Sequence, residues 1–215
     1  MRVRDRFDDP QRALAFALLG LAVAVLAYEE VIGALPGEKA LERSVYKPYI
    51  AHSDAYREVL AFFGLLGTSV IVAATVVVLG WLVVRRHGRS AGLFVLVAGL
   101  AVPLNACIKL AVGTTPAWDQ LHHHAANFPS GHVVYATVIY GAVAWAMWTR
   151  SRDVSAVLIA LTALMGPARV LSGAHLVSDV IAAYALGGAW LIAAHRLTMD
   201  AGRPLRLHGR ARARR

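Results

Sequence analysis

The chain has 215 residues, of which 58% are hydrophobic, and its mean hydropathy is +0.54. A soluble domain is roughly half apolar, so this composition predicts a membrane protein with one compact domain. The formal net charge of +9 suggests nucleic-acid binding, but the cations lie at the ends of apolar segments rather than along one face with interleaved aromatics. Membrane orientation explains them better. Cys107 is the single cysteine, which excludes an intrachain disulfide.

Apolar segments that are long enough to cross a bilayer recur along the whole chain. A spanning helix needs about 20 mostly apolar residues. Six segments meet or approach this length, and they predict an all-α bundle of six transmembrane helices. In chain order they cover residues 13–28, 59–84, 91–112, 133–148, 154–171 and 176–194.

The distribution of lysine and arginine predicts the orientation of this bundle, because connections rich in these residues stay in the cytoplasm. Most of the 22 basic residues lie before the first span, between spans two and three, between spans four and five, and after the last span. Both termini are therefore expected in the cytoplasm, and the connections at 113–132 and 169–175 should open on the outer face. Residues 1–200 form the membrane domain, and the basic tail 201–215 is expected to be disordered and close to anionic lipid headgroups.

Three ionisable residues interrupt the apolar sequence between the last two spans: Arg169, His175 and Asp179. His175 and Asp179 are four residues apart, so on a helix they share one face and the carboxylate reaches the near ring nitrogen. The far nitrogen is then free. A histidine held in this way beside a fixed cation is suited to attack phosphorus. The alternative is a structural ion pair between Arg169 and Asp179.

A second polar group, Pro129-Ser130-Gly131-His132, opens the fourth span. Ser130 is a favourable N-cap, Gly131 allows a ligand to approach the backbone, and the free N–H groups of a helix start attract phosphate. Because histidine titrates near neutrality, His132 is suited to donate a proton to a leaving oxygen. The alternative is a capped helix with an incidental histidine.

Lys109 lies near the outer end of the third span. A charge inside a membrane costs about 3 kcal/mol, so such a residue usually faces a site or water. Snorkelling of the side chain to the interface is the alternative.

These three stretches together resemble the type 2 phosphatidic acid phosphatase family, the membrane branch of the superfamily that also contains vanadium haloperoxidases. The family pattern is Lys-x6-Arg-Pro, then Pro-Ser-Gly-His, then Ser-Arg-x5-His-x3-Asp. Residues 129–132 match in full, and residues 169–179 match except that Ala168 stands where serine usually precedes the arginine. The resemblance covers roughly residues 91–194 and implies the same six-span helical fold.

The resemblance also implies a role for each matching residue. His175 corresponds to the nucleophile, Asp179 to the acid that orients it, and His132 to the proton donor. No metal or other cofactor is required. The residues that correspond to phosphate-binding positions are Lys109, Ser130, Gly131 and Arg169.

The first motif departs from the family pattern. Lys109 aligns, but Thr114, Thr115 and Pro116 stand where arginine is expected. One phosphate-binding cation is therefore missing, and a hydroxyl does not replace a bidentate guanidinium. His122-His123-His124 in the same connection would partly compensate if protonated, and an ordinary polar loop is the alternative. Metal binding there is disfavoured because neighbouring side chains on a helix point apart.

The activity implied by the resemblance is hydrolysis of a lipid phosphate at the outer face of the cell membrane. Candidate substrates are a polyprenyl diphosphate, phosphatidic acid and phosphatidylglycerol phosphate. The partners indicated are this lipid substrate and the bilayer, and the sequence does not indicate an oligomeric state. The missing arginine motivates a second hypothesis, a catalytically impaired protein that binds lipid phosphates. A transporter is a third, disfavoured because the charged residues cluster at one face and no inverted repeat is visible.

Overall fold

The structure is a computed structural model that describes residues 9–31, 37, 40–41, 44, 53–67, 69–112 and 128–200. The long regular elements in these residues are all helices, and a π-helical turn, Ala136–Tyr140, joins α6 to α7. The predicted disordered tail 201–215 lies outside the described residues. The helices are α1 (Pro10–Val31), α2 (Asp54–Leu66), α3 (Ser69–His87), α4 (Arg89–Gly99), α5 (Ala101–Val112), α6 (Gly131–Tyr135), α7 (Gly141–Met147), α8 (Arg152–Leu171) and α9 (Val177–Asp200).

Four helical stretches in the described residues are long and apolar enough to cross a membrane. They are Pro10–Tyr28, Ala91–Ala111, Arg152–Leu171 and Val177–Thr198, and the apolar segment Gly131–Met147 is shorter. The prediction of an all-helical membrane protein is confirmed for the described residues. Six crossings and cytoplasmic termini stay predictions.

The predicted span at 59–84 is not one continuous helix. Instead, α2 ends at Leu66, Gly67 follows as its C-cap, and α3 begins at Ser69. The prediction of an unbroken span was wrong because hydropathy measures apolar length and does not detect a break at a glycine. Because the last four carbonyl groups of a helix have no donor within it, the carbonyl groups at the end of α2 need partners from elsewhere.

The predicted third span is interrupted at Leu100, where α4 ends and α5 begins. Pro103 has no N–H with which to bond the Gly99 carbonyl four residues earlier, so the regular hydrogen-bond pattern is lost here. The two halves together still form the stretch Ala91–Ala111 that is long enough to cross a membrane.

Helix α9 is at the centre of the bundle and packs against α1, α4 and the segment from α6 to α7. Its alanines Ala182, Ala183 and Ala185 are almost completely buried. Small side chains of this kind allow neighbouring helices to approach closely. Larger side chains, including Phe94 and Ile139, fill the core beside α9.

The start of α1 and the end of α9 lie at the same face of the bundle. Arg196 forms an ion pair with Asp9, and its guanidinium also donates to Gln11 Oε1 at 3.2 Å. Asp179 lies near the other end of α9, about 25 Å along the helix axis from Arg196. The polar residues around Asp179 are therefore at the face opposite this ion pair.

A tyrosine on α9 compensates for a proline inside α8. Pro167 has no N–H for the Ala163 carbonyl. The Tyr184 hydroxyl oxygen lies 3.0 Å from this carbonyl oxygen and 2.9 Å from that of Thr162, and it accepts the Gly166 N–H at 3.0 Å. This hydroxyl therefore provides a partner for backbone groups that the proline disturbs.

Replacing Tyr184 by phenylalanine is expected to lower the free energy of unfolding by about 1 kcal/mol, because these backbone groups lose a partner in an apolar environment. Thermal unfolding of the purified protein in detergent measures the effect. Tyr28→Phe is the matched control, since it removes the same hydroxyl from α1, which has no proline beyond its first residue. Equal losses in the two variants would contradict the proposed role of the hydroxyl.

Candidate active site

A short turn connects α8, which carries Arg169, to α9, and His175 lies in this turn. Gly173 in this turn has a φ of +67°. The Ala174 N–H donates to the Arg169 carbonyl at 3.1 Å, and the Gly173 N–H donates to the Val170 carbonyl at 2.9 Å. These two bonds form a Schellman helix ending, which favours glycine because glycine adopts positive φ without strain. The turn thus ends α8 at Leu171, with Arg169 in its last turn, and leads into α9.

His175 and Asp179 form the predicted pair. His175 Nδ1 lies 3.2 Å from Asp179 Oδ2, and the Leu176 N–H donates to the same oxygen at 3.1 Å. His175 lies just before α9, in the connection expected at 169–175, so the pair forms across the helix start rather than along one helical face. Asp179 is the third residue of α9 and reaches back to the backbone before the helix start, as the acidic residue of a capping box does.

The environment of His175 keeps its ring neutral. The side chain is only 6% exposed, and burial is the largest cause that lowers its pKa to about 3. The positive charges of Arg169 and Lys109 act in the same direction. With the Nδ1 proton donated to Asp179, Nε2 has its lone pair available for nucleophilic attack.

Ser130 links the second motif to the third. Its N–H donates to the Asp179 carbonyl at 3.5 Å, and its own carbonyl accepts the Val134 N–H at 3.0 Å. Ser130 is the N-cap residue of α6, but its hydroxyl makes no capping bond, contrary to the prediction. This hydroxyl is fully buried and has no hydrogen-bond partner among the described residues, so it remains able to bond a ligand.

Gly131 lies against α5. A Cβ added at this position would be 3.1 Å from Asn105 Nδ2 and 3.7 Å from Lys109 Cε. The absence of a side chain at residue 131 therefore allows both α5 residues to approach the start of α6. Asn105 also donates to the Tyr135 hydroxyl at 3.3 Å.

His132 packs against the end of α2. Its Nε2 lies 2.9 Å from the Gly64 carbonyl oxygen. A Cβ added to Gly67 would lie 2.2 Å from His132 Cδ2, and one added to Gly64 would lie 3.2 Å from a terminal nitrogen of Arg169. The end of α2 therefore contacts both His132 and Arg169.

The structure gathers the residues predicted from the sequence at one end of the bundle. Ser130 contacts Asp179, Lys109 lies beside Gly131, and Arg169 and Lys109 act electrostatically on His175. The arrangement places two histidines, an acid and two cations together, while the role of each residue stays a prediction. Residues 114–116 and 122–124 lie outside the described part of the chain.

Sequence reasoning missed three residues of this cluster: Gly64, Gly67 and Asn105. Asn105 is only 1% exposed and precedes Lys109 by one helical turn. A polar residue at this spacing in an apolar span was a usable signal. Gly64 and Gly67 carry no comparable signal, because their contacts come from the packing of α2 against α6.

Within the described residues, no three histidine, cysteine, aspartate or glutamate side chains are grouped closely enough to hold a metal ion. The charged groups of the cluster are instead the basic residues Lys109 and Arg169 and the acid Asp179. Because Asp179 is hydrogen-bonded to His175, the two basic residues favour binding of an anion in the cluster.

Residues 106–203 match the family model of the PAP2 superfamily. The predicted resemblance is confirmed. This PAP2 segment contains Lys109, the Pro-Ser-Gly-His motif and the stretch 169–179. Helices α1 to α4 lie outside the matched residues, including the end of α2 that contacts His132 and Arg169.

A solved structure has a similar fold. It is the crystal structure of a transmembrane PAP2-type phosphatidylglycerolphosphate phosphatase from Bacillus subtilis. The TM-score is 0.72, and the sequences are 20% identical over 89% of this chain and 98% of that chain. A comparison with curated proteins gave no match. The similarity extends the shared fold beyond the PAP2 segment to most of the protein.

Proposed function

We propose that this protein is an integral-membrane lipid phosphatase that hydrolyses its substrate through a phosphohistidine intermediate. The PAP2 segment and the fold of the Bacillus subtilis protein support a lipid phosphatase in general. The observation that carries the mechanism is the buried His175–Asp179 pair, whose free Nε2 lies in a cluster with Arg169 and Lys109.

In the first step, the Nε2 lone pair of His175 attacks phosphorus and forms an N–P bond. The bond between phosphorus and the lipid oxygen breaks, and His132 donates a proton to that oxygen. Asp179 holds the Nδ1 proton and stabilises the positive charge that develops on the ring. Such a pair of histidines separates a difficult hydrolysis into two easier displacements.

In the second step, water attacks the phosphorus of the phosphohistidine. His132, now neutral, takes a proton from this water, the N–P bond breaks, and inorganic phosphate leaves. His175 returns to its starting tautomer with Nδ1–H directed at Asp179. Both steps conserve protons, because His132 donates one in the first and recovers one in the second.

The surrounding donors stabilise the negative charge on the phosphoryl oxygens. Lys109, Arg169, the Ser130 hydroxyl and the backbone amides of Ser130 and Gly131 are the groups available for this task. Electrostatic stabilisation of this kind supplies most of the catalysis in phosphoryl transfer. The arginine missing near residue 116 reduces the number of cations and is expected to lower the rate rather than to change the mechanism.

The proposed substrate is a lipid phosphate that enters from the extracytoplasmic side of the cell membrane. The cluster lies at the face opposite the Asp9–Arg196 ion pair, near which the arginine-rich tail begins. The positive-inside rule assigns that tail to the cytoplasm. Polyprenyl diphosphate, phosphatidic acid and phosphatidylglycerol phosphate all present the required phosphate at the membrane surface.

Phosphate release from a panel of these three lipids tests the function. The purified protein is assayed in detergent with EDTA present, and His175→Ala is assayed beside it. We expect release from at least one lipid, unaffected by EDTA and abolished by the substitution. Release that needs an added metal ion would contradict the proposed chemistry.

The second candidate function, binding of lipid phosphates without turnover, is favoured by the missing arginine alone. It predicts that a folded native protein releases phosphate from none of the lipids but retains them in a binding assay. Retention should then survive in His175→Ala, because that function does not need a nucleophile.

Replacing Lys109 by methionine is expected to lower kcat/KM about tenfold or more, because the substrate loses one charge-assisted contact. Steady-state phosphate release at several substrate concentrations measures the loss. Leu110→Met is the control on the same helix, since Leu110 is 78% exposed on the bundle surface. Unchanged kcat/KM in Lys109→Met would show that Lys109 does not contact the phosphate.

A further inference from the structure

The end of α2 offers backbone acceptors where the helix stops. Because α2 ends at Leu66, the carbonyl groups of Gly64 and Leu66 belong to the last turn, which has no donors from a following helical turn. Two side chains of the segment Gly131–Met147 form hydrogen bonds with these carbonyl groups. His132 Nε2 lies 2.9 Å from the Gly64 oxygen, and the Tyr140 hydroxyl donates to the Leu66 oxygen at 3.3 Å.

Gly67 lies directly beside the ring of His132. A Cβ at residue 67 would approach His132 Cδ2 to 2.2 Å, Cγ to 2.5 Å and Cβ to 2.7 Å. These separations are far below van der Waals contact, so even alanine at this position must displace the imidazole. The ring edge formed by Cδ2 and Nε2 is therefore packed against α2, and the edge with Nδ1 and Cε1 is directed away from it.

A backbone carbonyl can only accept a hydrogen bond, so Nε2 of His132 must carry a proton to bond Gly64. In the neutral ring the Nδ1 atom then holds the lone pair. A backbone partner of this type selects the tautomer of a histidine and fixes its orientation.

We propose that Gly64 and Gly67 position His132, so that Nδ1 is the atom that exchanges protons with the substrate. The Gly64 carbonyl retains the Nε2 proton, and the space left by Gly67 accommodates the ring. The proposal rests on the function proposed above, and it adds two positioning residues that lie outside the PAP2 segment.

A Gly67→Ala substitution tests this role through the leaving group. The first chemical step, which kcat/KM reports, needs a proton donor when a lipid alkoxide leaves but much less so when the acidic p-nitrophenol leaves. We expect kcat/KM to fall about a hundredfold or more for the lipid phosphate, the range that general acid catalysis provides, and less than about threefold for p-nitrophenyl phosphate.

Two further variants distinguish an effect on the position of His132 from a general loss of structure. In a His132→Ala background, adding Gly67→Ala should change kcat/KM less than about twofold, because the substitution acts through the missing ring. Gly20→Ala is the matched control, since a Cβ at Gly20 on α1 meets no described atom within 4 Å. It should leave both substrates unaffected.

The outcomes that overturn the proposal are equal losses on both substrates, equal losses in both backgrounds, or no loss in Gly67→Ala. The nitrogen-15 chemical shifts of the native protein give an independent test that does not depend on the folding of Gly67→Ala. The His132 signals are identified by their absence from the spectrum of His132→Ala. They should show that neutral His132 carries its proton on Nε2, and a proton on Nδ1 would refute the proposal. If the native protein hydrolyses neither substrate, the proposed function fails, while the tautomer still decides the positioning of His132.

Discussion

Replacing His175 by alanine is expected to lower kcat at least about ten-thousandfold, because in the proposed mechanism the variant lacks the group that attacks phosphorus. The ring is buried and neutral, and its Nδ1 is bonded to Asp179, which in that mechanism leaves Nε2 ready for attack before substrate binds. The measurement is phosphate release under saturating lipid substrate. Binding of the lipid should be largely retained, since Lys109, Arg169 and the start of α6 are unchanged.

His195→Gln is the matched control for this prediction. His195 lies near the other end of α9, where its ring stacks on Trp145 at a centroid distance of 4.2 Å. Losing that ring should affect stability more than activity. Substantial turnover by His175→Ala, with a melting temperature like that of the native protein, would show that another group attacks phosphorus.

Replacing Asp179 by asparagine is expected to lower kcat about a thousandfold, less than the roughly ten-thousandfold loss in a catalytic triad whose acid becomes an amide, because here the ring tautomer can be retained. The Leu176 N–H and His175 Nδ1 both bond Asp179 Oδ2. In the variant an amide oxygen at this position would accept the same two hydrogen bonds, but it carries no negative charge. The positive charge that develops on the His175 ring during attack would then lose its stabilising partner.

Asp153→Asn provides the control, because Asp153 is an exposed acidic residue in the first turn of α8. It should change kcat less than about twofold, as expected of a surface substitution remote from the site. Thermal unfolding is measured for both variants, since the amide is nearly the same size as the carboxylate. Full activity of Asp179→Asn would contradict the assignment of Asp179 as the orienting acid.

The parts of the site that depend on spacing in the sequence were predictable. The interval between His175 and Asp179 predicted a hydrogen-bonded pair, and the structure has this pair at 3.2 Å. The two residues do not share a helical face, however. The Schellman turn at Gly173 follows the end of α8 at Leu171, so His175 lies in the connection expected at 169–175 and Asp179 reaches it from the first turn of α9.

The parts that depend on packing between distant segments were not predictable from one sequence. Hydropathy predicted a single span at 59–84 and gave no sign of the break at Gly67. That break exposes the carbonyl that bonds His132, a residue 68 positions away from Gly64 in the chain. In the same way, the sequence shows Pro167 inside a span. It does not show that the Tyr184 hydroxyl bonds the carbonyl group that Pro167 leaves without a donor, because this depends on how α8 packs against α9.

The stereochemistry at phosphorus distinguishes hydrolysis through a phosphohistidine at His175 from direct attack by water. The native protein would be given a phosphorothioate ester made chiral with oxygen isotopes, and the configuration of the released thiophosphate would be determined. Two successive in-line displacements, by His175 and then by water, predict net retention of configuration. Net inversion would mean that water attacks the substrate directly, and it would contradict the covalent mechanism.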